Sequence, residues 1–157
     1  MVYSVSPPTS PAMRKIAYAV TDNEIAACFP VMSQLRPKIA EHEFVPLVKH
    51  LAATCGFQLA YLDENGIKAV AGYRVAEWLA GGRYLEIEDL VTADGARSRG
   101  HGGALFDWLV AEAARRECRQ VRLVSHVRRA DAHRFYLRKG MSIEAHYFSM
   151  NVPSGNA

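Results

Sequence analysis

The sequence predicts one domain of the α+β class, a mixed α/β arrangement in which helices pack on a sheet with antiparallel and parallel strands. Two features carry this prediction. Asn65-Gly66, a typical two-residue hairpin turn, joins the strand-like segments 57–62 and 67–78. The strand-like segment 83–92 is followed by a glycine-rich loop and an apolar-periodic helix. A helix crossover of this kind places the next strand parallel to the one before it.

The other elements follow in chain order from the spacing of apolar residues. Thr21 and Glu24 have the spacing of a capping box at the start of a helix, and Pro30 predicts a kink or break within that helix. The full set comprises helices over 22–34, 41–54, about 102–117 and 131–139, and strands over 15–20, 57–62, 67–78, 83–92, 121–125 and 143–151.

Length and composition favour a single globular domain. The 157 residues, half of them hydrophobic, suit one sizeable core. Residues 1–13 contain three prolines and several serines and are predicted to form a flexible tail, which leaves 14–157 as the domain. No apolar run approaches the roughly 18 residues of a membrane helix, and the N-terminus lacks a secretory pattern. Three widely spaced cysteines argue against a disulfide framework and a zinc site, so we expect a cytoplasmic protein.

The net charge of +3 hides an asymmetry along the chain. Residues 1–96 hold 8 Lys+Arg and 11 Asp+Glu, a balance of −3, whereas residues 97–139 hold 11 and 4, a balance of +7. A basic segment that begins at a glycine-rich loop suits a polyanionic ligand. The alternatives are a solvated basic surface or a nucleic-acid face, although the segment lacks a recognised reading-helix pattern.

The glycine-rich segment 97–104 is the candidate anion site. Glycines at a helix start expose N–H groups, which together with the helix dipole favour a phosphate or pyrophosphate. A phosphate loop of the ATPase type would need a Gly-Lys-Ser/Thr ending, and a dinucleotide fingerprint would need a third glycine at its proper spacing. Neither is present. The remaining pattern is Arg-x-x-Gly-x-Gly, formed by Arg97, Gly100 and Gly102.

A second motif strengthens that pattern and carries a family resemblance. Ala132, Phe135, Tyr136 and Gly140 have the spacing of Asn-x-x-Ala-x-x-Phe-Tyr-x-x-x-Gly-Phe. With the glycine loop, this resembles the GNAT N-acetyltransferase family. The resemblance implies a twisted mixed sheet of six to seven strands that splays between 83–92 and 121–125, with about four helices around it. Three residues depart from the family pattern, namely Arg129, Met141 and Asp94.

The resemblance implies an acetyl-CoA site on these motifs. Backbone groups of Leu90 to Thr92 would pair with the pantetheine arm like an added strand, and the loop N–H groups would hold the pyrophosphate. Tyr136 matches the position that protonates the departing thiolate. The residues expected at acetyl-CoA are Leu90, Val91, Thr92, Arg97, Ser98, Arg99, Gly100, His101, Gly102, Gly103, Ala104, Arg129, His133 and Tyr136.

The general base remains open among the acids of the same strand. In a regular strand Glu86 and Glu88 share one face with Leu90, and Asp89 lies on the other; a bulge would change that assignment. Each acid could deprotonate or bind a cationic amine, or form only a polar edge. His146 on the predicted last strand is an alternative base.

These features predict a cytoplasmic enzyme that transfers an acetyl group directly from acetyl-CoA to a primary amine. The amine would belong to a small molecule or a protein, and the strand acids favour a cationic one. No metal, nucleic acid or membrane is expected to take part, and a homodimer is left open. Two other classes compete, a non-catalytic acyl-CoA-binding module and a nucleic-acid-binding protein.

Overall fold

The structure is a computed structural model that describes residues 13–153, so the predicted tail lies outside the described residues except for Met13. Four helices and five strands form in this range. In chain order they are β1 Lys15–Tyr18, α1 Asp22–Leu35, α2 Glu41–Cys55, β2 Gln58–Asp63, β3 Ile67–Trp78, β4 Gly82–Thr92, α3 His101–Arg115, β5 Gln120–Leu123 and α4 Ala130–Arg138, with a single 3-10 turn at Asp94–Ala96.

The strands form one sheet in the order β1-β2-β3-β4-β5. Neighbours from β1 to β4 are antiparallel, and for β2 and β3 this is what the hairpin signal at Asn65-Gly66 predicted. Arg119 N donates to Arg83 O at 2.8 Å, and three residues further along each strand Arg122 pairs with Glu86. Because the contacts advance in the same direction along both strands, β5 is parallel to β4. The predicted α+β class with a mixed sheet is therefore confirmed, with five strands in the described range.

The strand expected over 143–151 does not form in the structure. Residues 141–153 have no regular secondary structure, and Ile143, Tyr147 and Phe148 are 78%, 73% and 89% exposed. Alternation of apolar residues is a local preference, whereas a strand exists only when a neighbouring edge accepts its hydrogen bonds. The expected total of six to seven strands is accordingly too high for the described residues.

Each face of the sheet carries its own apolar layer. α1 and α2 cover the face that holds Leu59, Tyr61, Val70 and Val91. The alternating residues, including Ala60, Leu62, Ala71 and Tyr73, are buried on the other face. α3 packs there, with the ring of Trp108 6.4 Å from that of Tyr73. The period-2 pattern of the strands thus sorts helices to opposite sides.

The chain divides into two compact units, residues up to 122 and residues from 123 onwards. The first unit contains the sheet with α1 to α3, and the second contains α4. None of the helices within residues 13–153 combines the length and apolarity needed to cross a membrane. In the same described range, no group of three or more histidine, cysteine or acidic side chains is placed to hold a metal ion.

Candidate active site

A β-bulge in β4 sets the direction of the three strand acids. Tyr73 pairs with Ile87 and Gly72 with Asp89, so Glu88 is the extra residue. Paired residues share a face, and Gly72 lies on the same face as Arg74 and Leu59. Asp89 therefore joins Glu86 on the face covered by α1 and α2. The arrangement expected for a regular strand, with Asp89 opposite Glu86, is wrong, because the bulge shifts the alternation by one residue.

Each strand acid is paired with an arginine from another element. Arg36 at the end of α1 donates from Nε to Asp89 Oδ1 at 2.6 Å and from Nη2 to the Glu88 carbonyl at 3.3 Å. Arg74 pairs with Glu88. Arg122 lies 3.0 Å from Glu86 and stacks on the ring of Tyr84, with 3.5 Å from its guanidinium carbon to the ring centroid.

These arginines were missed by sequence reasoning, although a general signal was available: carboxylates on a packed strand need charged or hydrogen-bonding partners. The partners could not be named because Arg36 lies 53 residues from Asp89.

The pKa of Asp89 is shifted by its surroundings. Its side chain is 11% exposed. Burial raises its pKa above the usual range, and the adjacent Arg36 offsets part of that rise. A carboxylate with a raised pKa is a stronger base than an ordinary aspartate.

The end of β4 extends beyond its neighbour on one side. The contacts of Arg83 with Arg119 and of Glu86 with Arg122 put the last residue of β5, Leu123, level with about Ile87. Residues 88–92 of β4 continue past that level. On their other side, Leu90, Val91 and Thr92 pair with Ala71, Val70 and Ala69 of β3. Within the first unit, residues 90–92 thus pair with β3 along one edge, and along the other edge they extend past the end of β5.

The loop between β4 and α3, residues 97–103, is the candidate anion cradle. Ser98 has φ 63° and Gly100 has φ 80°, both in the left-handed region. Anion-binding nests contain a left-handed residue of this kind, beside which successive N–H groups turn toward one point. The helical ladder starts where Ala104 N donates to Gly100 O at 2.9 Å, so the amides of residues 101–103 precede it.

Gly102 is a glycine for a different reason. A Cβ at this position would lie 2.7 Å from Thr92 Oγ1, so the helix start approaches the end of β4 too closely for a side chain. The cradle and the end of β4 are therefore adjacent. The charges beside them are Arg97, which pairs with Asp94 at 2.7 Å, and the exposed Arg99.

His101 differs from its exposed neighbours in the loop. It is 2% exposed, and its ring contacts the Ala96 carbonyl and the Glu64 carboxylate. Only its backbone N–H belongs to the cradle.

Tyr136, Arg129 and His133 lie in the second unit, on or just before α4. Burial raises the pKa of the Tyr136 phenol, and the positive charge of Arg129 partly offsets this. The phenol therefore keeps its proton at neutral pH and can act as a donor. Its ring packs edge to face on Phe135, with centroids 5.2 Å apart. His133 Nε2 lies 3.0 Å from the His126 carbonyl oxygen and donates to it.

The arrangement in the first unit fits a thioester with a polyanionic handle. A strand end can pair with an extended arm, the cradle can receive a phosphate, and the acids on β4 can receive a proton.

Comparisons with known proteins agree with this fit. The family model described as Acetyltransferase (GNAT) family matches residues 19–141. The uncharacterized N-acetyltransferase YhdJ of Bacillus subtilis (strain 168) is 34% identical over 131 residues, which cover 82% of this chain and 92% of YhdJ.

Two solved structures show the same fold at low sequence identity. A putative acetyltransferase from Agrobacterium tumefaciens str. C58 is 20% identical with a TM-score of 0.75, covering 88% of this chain and 99% of its own. The aminoglycoside N-acetyltransferase AAC(6')-Iy in complex with CoA is 10% identical with a TM-score of 0.80, covering 95% of this chain and 100% of its own. The family match spans the glycine loop and α4 alike, and on that basis the chain belongs to the GNAT family and is an N-acetyltransferase.

Proposed function

We propose that this N-acetyltransferase takes acetyl-CoA as donor and transfers the acetyl group directly to a primary amine of a small molecule or a protein. The observation that carries the proposal is the end of β4 beside the cradle formed by residues 97–103. GNAT enzymes use acetyl-CoA, and the complex of AAC(6')-Iy with CoA supports the same donor for this chain. Three free cysteines support a reducing, cytoplasmic setting.

In this proposal the backbone of Leu90 to Thr92 holds the pantetheine arm, and the cradle holds the pyrophosphate. Residues expected around the donor are Arg97, Ser98, Arg99, Gly100, His101, Gly102, Gly103 and Ala104 in the first unit, and Arg129 and His133 in the second. The donor supplies an activated acetyl group as a thioester. The protein's own task is to orient it, accept a proton from the amine and return a proton to the thiolate.

The acids of β4 are proposed to bind and deprotonate the amine. A paired carboxylate keeps acceptor sites, since two oxygens offer about four lone-pair directions and an arginine occupies only some of them. Asp89 is the preferred base because burial raises its pKa. Glu88 and Glu86 complete an anionic row that attracts a cationic amine. Tyr136 is the proposed acid, because its phenol keeps its proton at neutral pH.

The sign of the pH dependence follows from Asp89. A base acts only when ionised, and a raised pKa means that Asp89 takes up its proton at a higher pH than an ordinary aspartate. The rate should therefore fall with decreasing pH earlier than an unperturbed carboxyl would dictate. The cationic amine also has to lose a proton, since a lysine-like amine has a pKa of about 10.4, so the rate should rise with pH.

A screen of amine acceptors with acetyl-CoA, following release of free thiol, tests the proposal. We expect cationic primary amines to be preferred over neutral or anionic acceptors. Asp89→Asn and Glu88→Gln should each lower the rate on the best acceptor and weaken that preference. Glu117→Gln, which removes an exposed acid at the end of α3, is the matched control.

If Asp89→Asn and Glu88→Gln both keep the rate and the preference, Asp89 and Glu88 form only a polar edge. The base would then have to be Glu86 or His146. Thiol release that no amine accelerates would contradict the proposal as a whole.

A further inference from the structure

A loop that binds a ligand through its backbone N–H groups does not require a buried histidine side chain, yet His101 is buried. His101 is the first residue of α3 and is 2% exposed, although Gly100 and Gly102 flank it and residues 97–100 are exposed. A buried imidazole needs partners for both ring nitrogens. Its neighbourhood therefore reveals what the side chain does.

Both partners of the ring are acceptors. Nδ1 lies 3.1 Å from the Ala96 carbonyl oxygen, and Nε2 lies 2.5 Å from Glu64 Oε2. A carbonyl has no proton to give, so Nδ1 must donate. A carboxylate likewise accepts, so Nε2 donates as well, and the ring carries both protons as an imidazolium. We call this pair of contacts the His101 clamp.

The surroundings of Glu64 keep it ionised. Its second oxygen, Oε1, is 3.4 Å from Arg14 Nε. The hydrogen bond from His101, with the charge of Arg14, holds the pKa of Glu64 below its usual range even though burial opposes this. The other charged groups of the same loop, Asp94 and Arg97, pair with each other at 2.7 Å. The clamp therefore joins an imidazolium to a carboxylate.

The clamp connects three segments. Glu64 lies in the turn between β2 and β3, Ala96 ends the 3-10 turn after β4, and His101 begins α3. The exposed residues 97–100 are thus fixed at both ends, and the anchor is a separate hairpin. The clamp also places a positive charge at a helix N-terminus, where an anion is already favoured.

We propose that His101 is a positioning residue for the coenzyme: held by Glu64 and the Ala96 carbonyl as an imidazolium, it fixes residues 97–100 in the conformation that binds the pyrophosphate. The inference rests on the proposed acetyl-CoA site. Without the two hydrogen bonds of the ring, the loop is no longer fixed and affinity for CoA falls.

Calorimetric titration of CoA at neutral pH tests the clamp. The variants are His101→Ala, which removes the clamp, and Glu64→Gln, which keeps an acceptor oxygen for Nε2 but removes the charge. His50→Ala, which removes an exposed histidine of α2, is the control.

We expect His101→Ala to bind CoA about tenfold more weakly than the control, a change of about 1.4 kcal/mol. Glu64→Gln should bind more weakly than the control but more tightly than His101→Ala, because its amide keeps one hydrogen bond to the ring without the charge. The KM for S-acetyl-pantetheine, which lacks the pyrophosphate, should be the same in all these proteins.

Two results would overturn the inference. One is an affinity for CoA in folded His101→Ala and Glu64→Gln that equals that of the control, because the ring would then not fix the loop. The other is an equal loss with S-acetyl-pantetheine, because the histidine would then support the fold in general. If His101→Ala fails to fold, Glu64→Gln decides the question alone. Failure of the wild-type protein to bind CoA would contradict the proposed function itself, and the inference with it.

Discussion

Tyr136 is the residue whose proposed role can be tested by removing one oxygen atom. Its phenol keeps its proton at neutral pH because burial raises its pKa. Tyr136→Phe should lower kcat by about 100-fold, the usual effect of losing a proton donor, and leave CoA affinity nearly unchanged. Steady-state kinetics with calorimetry measure both quantities. Tyr147→Phe, at a tyrosine that is 73% exposed, is the control.

A near wild-type rate in Tyr136→Phe would mean that water or another group protonates the thiolate. An equal loss of CoA affinity would assign the tyrosine to binding.

Single residues show how far local spacing predicts contacts. Thr21 and Glu24 form the capping box that their spacing predicted: Glu24 N donates to Thr21 Oγ1 at 3.3 Å, and Thr21 N donates to Glu24 Oε2 at 2.8 Å. The partners of Asp89 and His101 were not predictable in this way, because Arg36 and Glu64 reach them only after the sheet has formed. Local contacts follow from sequence spacing, whereas long-range pairs depend on strand register.

At the scale of elements, β3 and β4 hold the strand acids in place through a glycine. Gly72 lies opposite Asp89 at the bulge, and a Cβ there would lie 2.4 Å from the Phe57 ring and 2.7 Å from Asp89 Oδ2. Gly72→Ala should therefore destabilise the protein by about 1–3 kcal/mol, the usual cost of overpacking. Urea unfolding measures this. Gly95→Ala is the matched control, because a Cβ at Gly95 meets nothing within 4 Å.

A second variant separates crowding from other effects. Phe57→Leu should restore part of the stability of Gly72→Ala, because it removes the ring that the new methyl group meets. Unchanged stability in Gly72→Ala would mean that the bulge accommodates a side chain, and the close approach at Gly72 would not hold Asp89.

Elements also show where sequence patterns fail. The hairpin at Asn65-Gly66 and the strand–loop–helix unit from β4 to α3 were predicted because each is encoded by adjacent residues. Pro30 was expected to kink or break its helix; α1 continues past it to Leu35, so the helix does not break there. The bulge at Glu88 depends on pairing with β3, and the strand expected over 143–151 lacks a partner edge within the described residues. Both depend on neighbours that the pattern of one strand does not reveal.

At the scale of the whole molecule, Glu112 ties α3 to the chain around it. It is 1% exposed, and its oxygens accept from Arg115 and Arg116 at 2.5 and 2.9 Å. Burial alone would raise its pKa, but hydrogen bonds from Tyr18, Arg115 and Arg116 hold it below the usual range. A lowered pKa in the folded state gives stability that is present above the unfolded-state pKa and is lost as the pH falls through the folded-state value.

Glu112→Gln should therefore lower the free energy of unfolding at neutral pH by about 1–3 kcal/mol, the cost of weakening a charged hydrogen-bond set. The difference from wild type should shrink as the pH falls below the ordinary range of glutamate, because Glu112 then takes up a proton in the folded state as well. Urea titrations at several pH values measure this. A difference that is constant with pH would mean that packing, and not the charge of Glu112, supplies the stability.

The charge asymmetry predicted from the sequence has a place in the fold. The basic half of the chain begins at the cradle, and the acids of β4 face α1 and α2 on the other side of the sheet from α3. Donor and acceptor would thus meet surfaces of opposite charge. Family and fold class could be predicted from two motifs. The face of Asp89 and the three arginine partners required the tertiary structure.

Acetyl-CoA is proposed to bind at the cradle formed by residues 97–103. Gly102→Asp would test it, but its Cβ would also collide with Thr92 Oγ1 at 2.7 Å, so a fold defect would confuse the result. Arg99→Glu is the cleaner change, because Arg99 is exposed and lies within the loop. Lys15→Glu, the same reversal of charge at an exposed residue of β1, is the control.

Calorimetric titration of CoA into the three proteins is the most direct measurement. Wild type and Lys15→Glu should bind with equal affinity, and Arg99→Glu should bind at least about tenfold more weakly, which is about 1.4 kcal/mol. Circular dichroism confirms that each protein is folded. Equal affinity of folded Arg99→Glu and wild type would contradict the claim that the coenzyme's pyrophosphate lies at this loop.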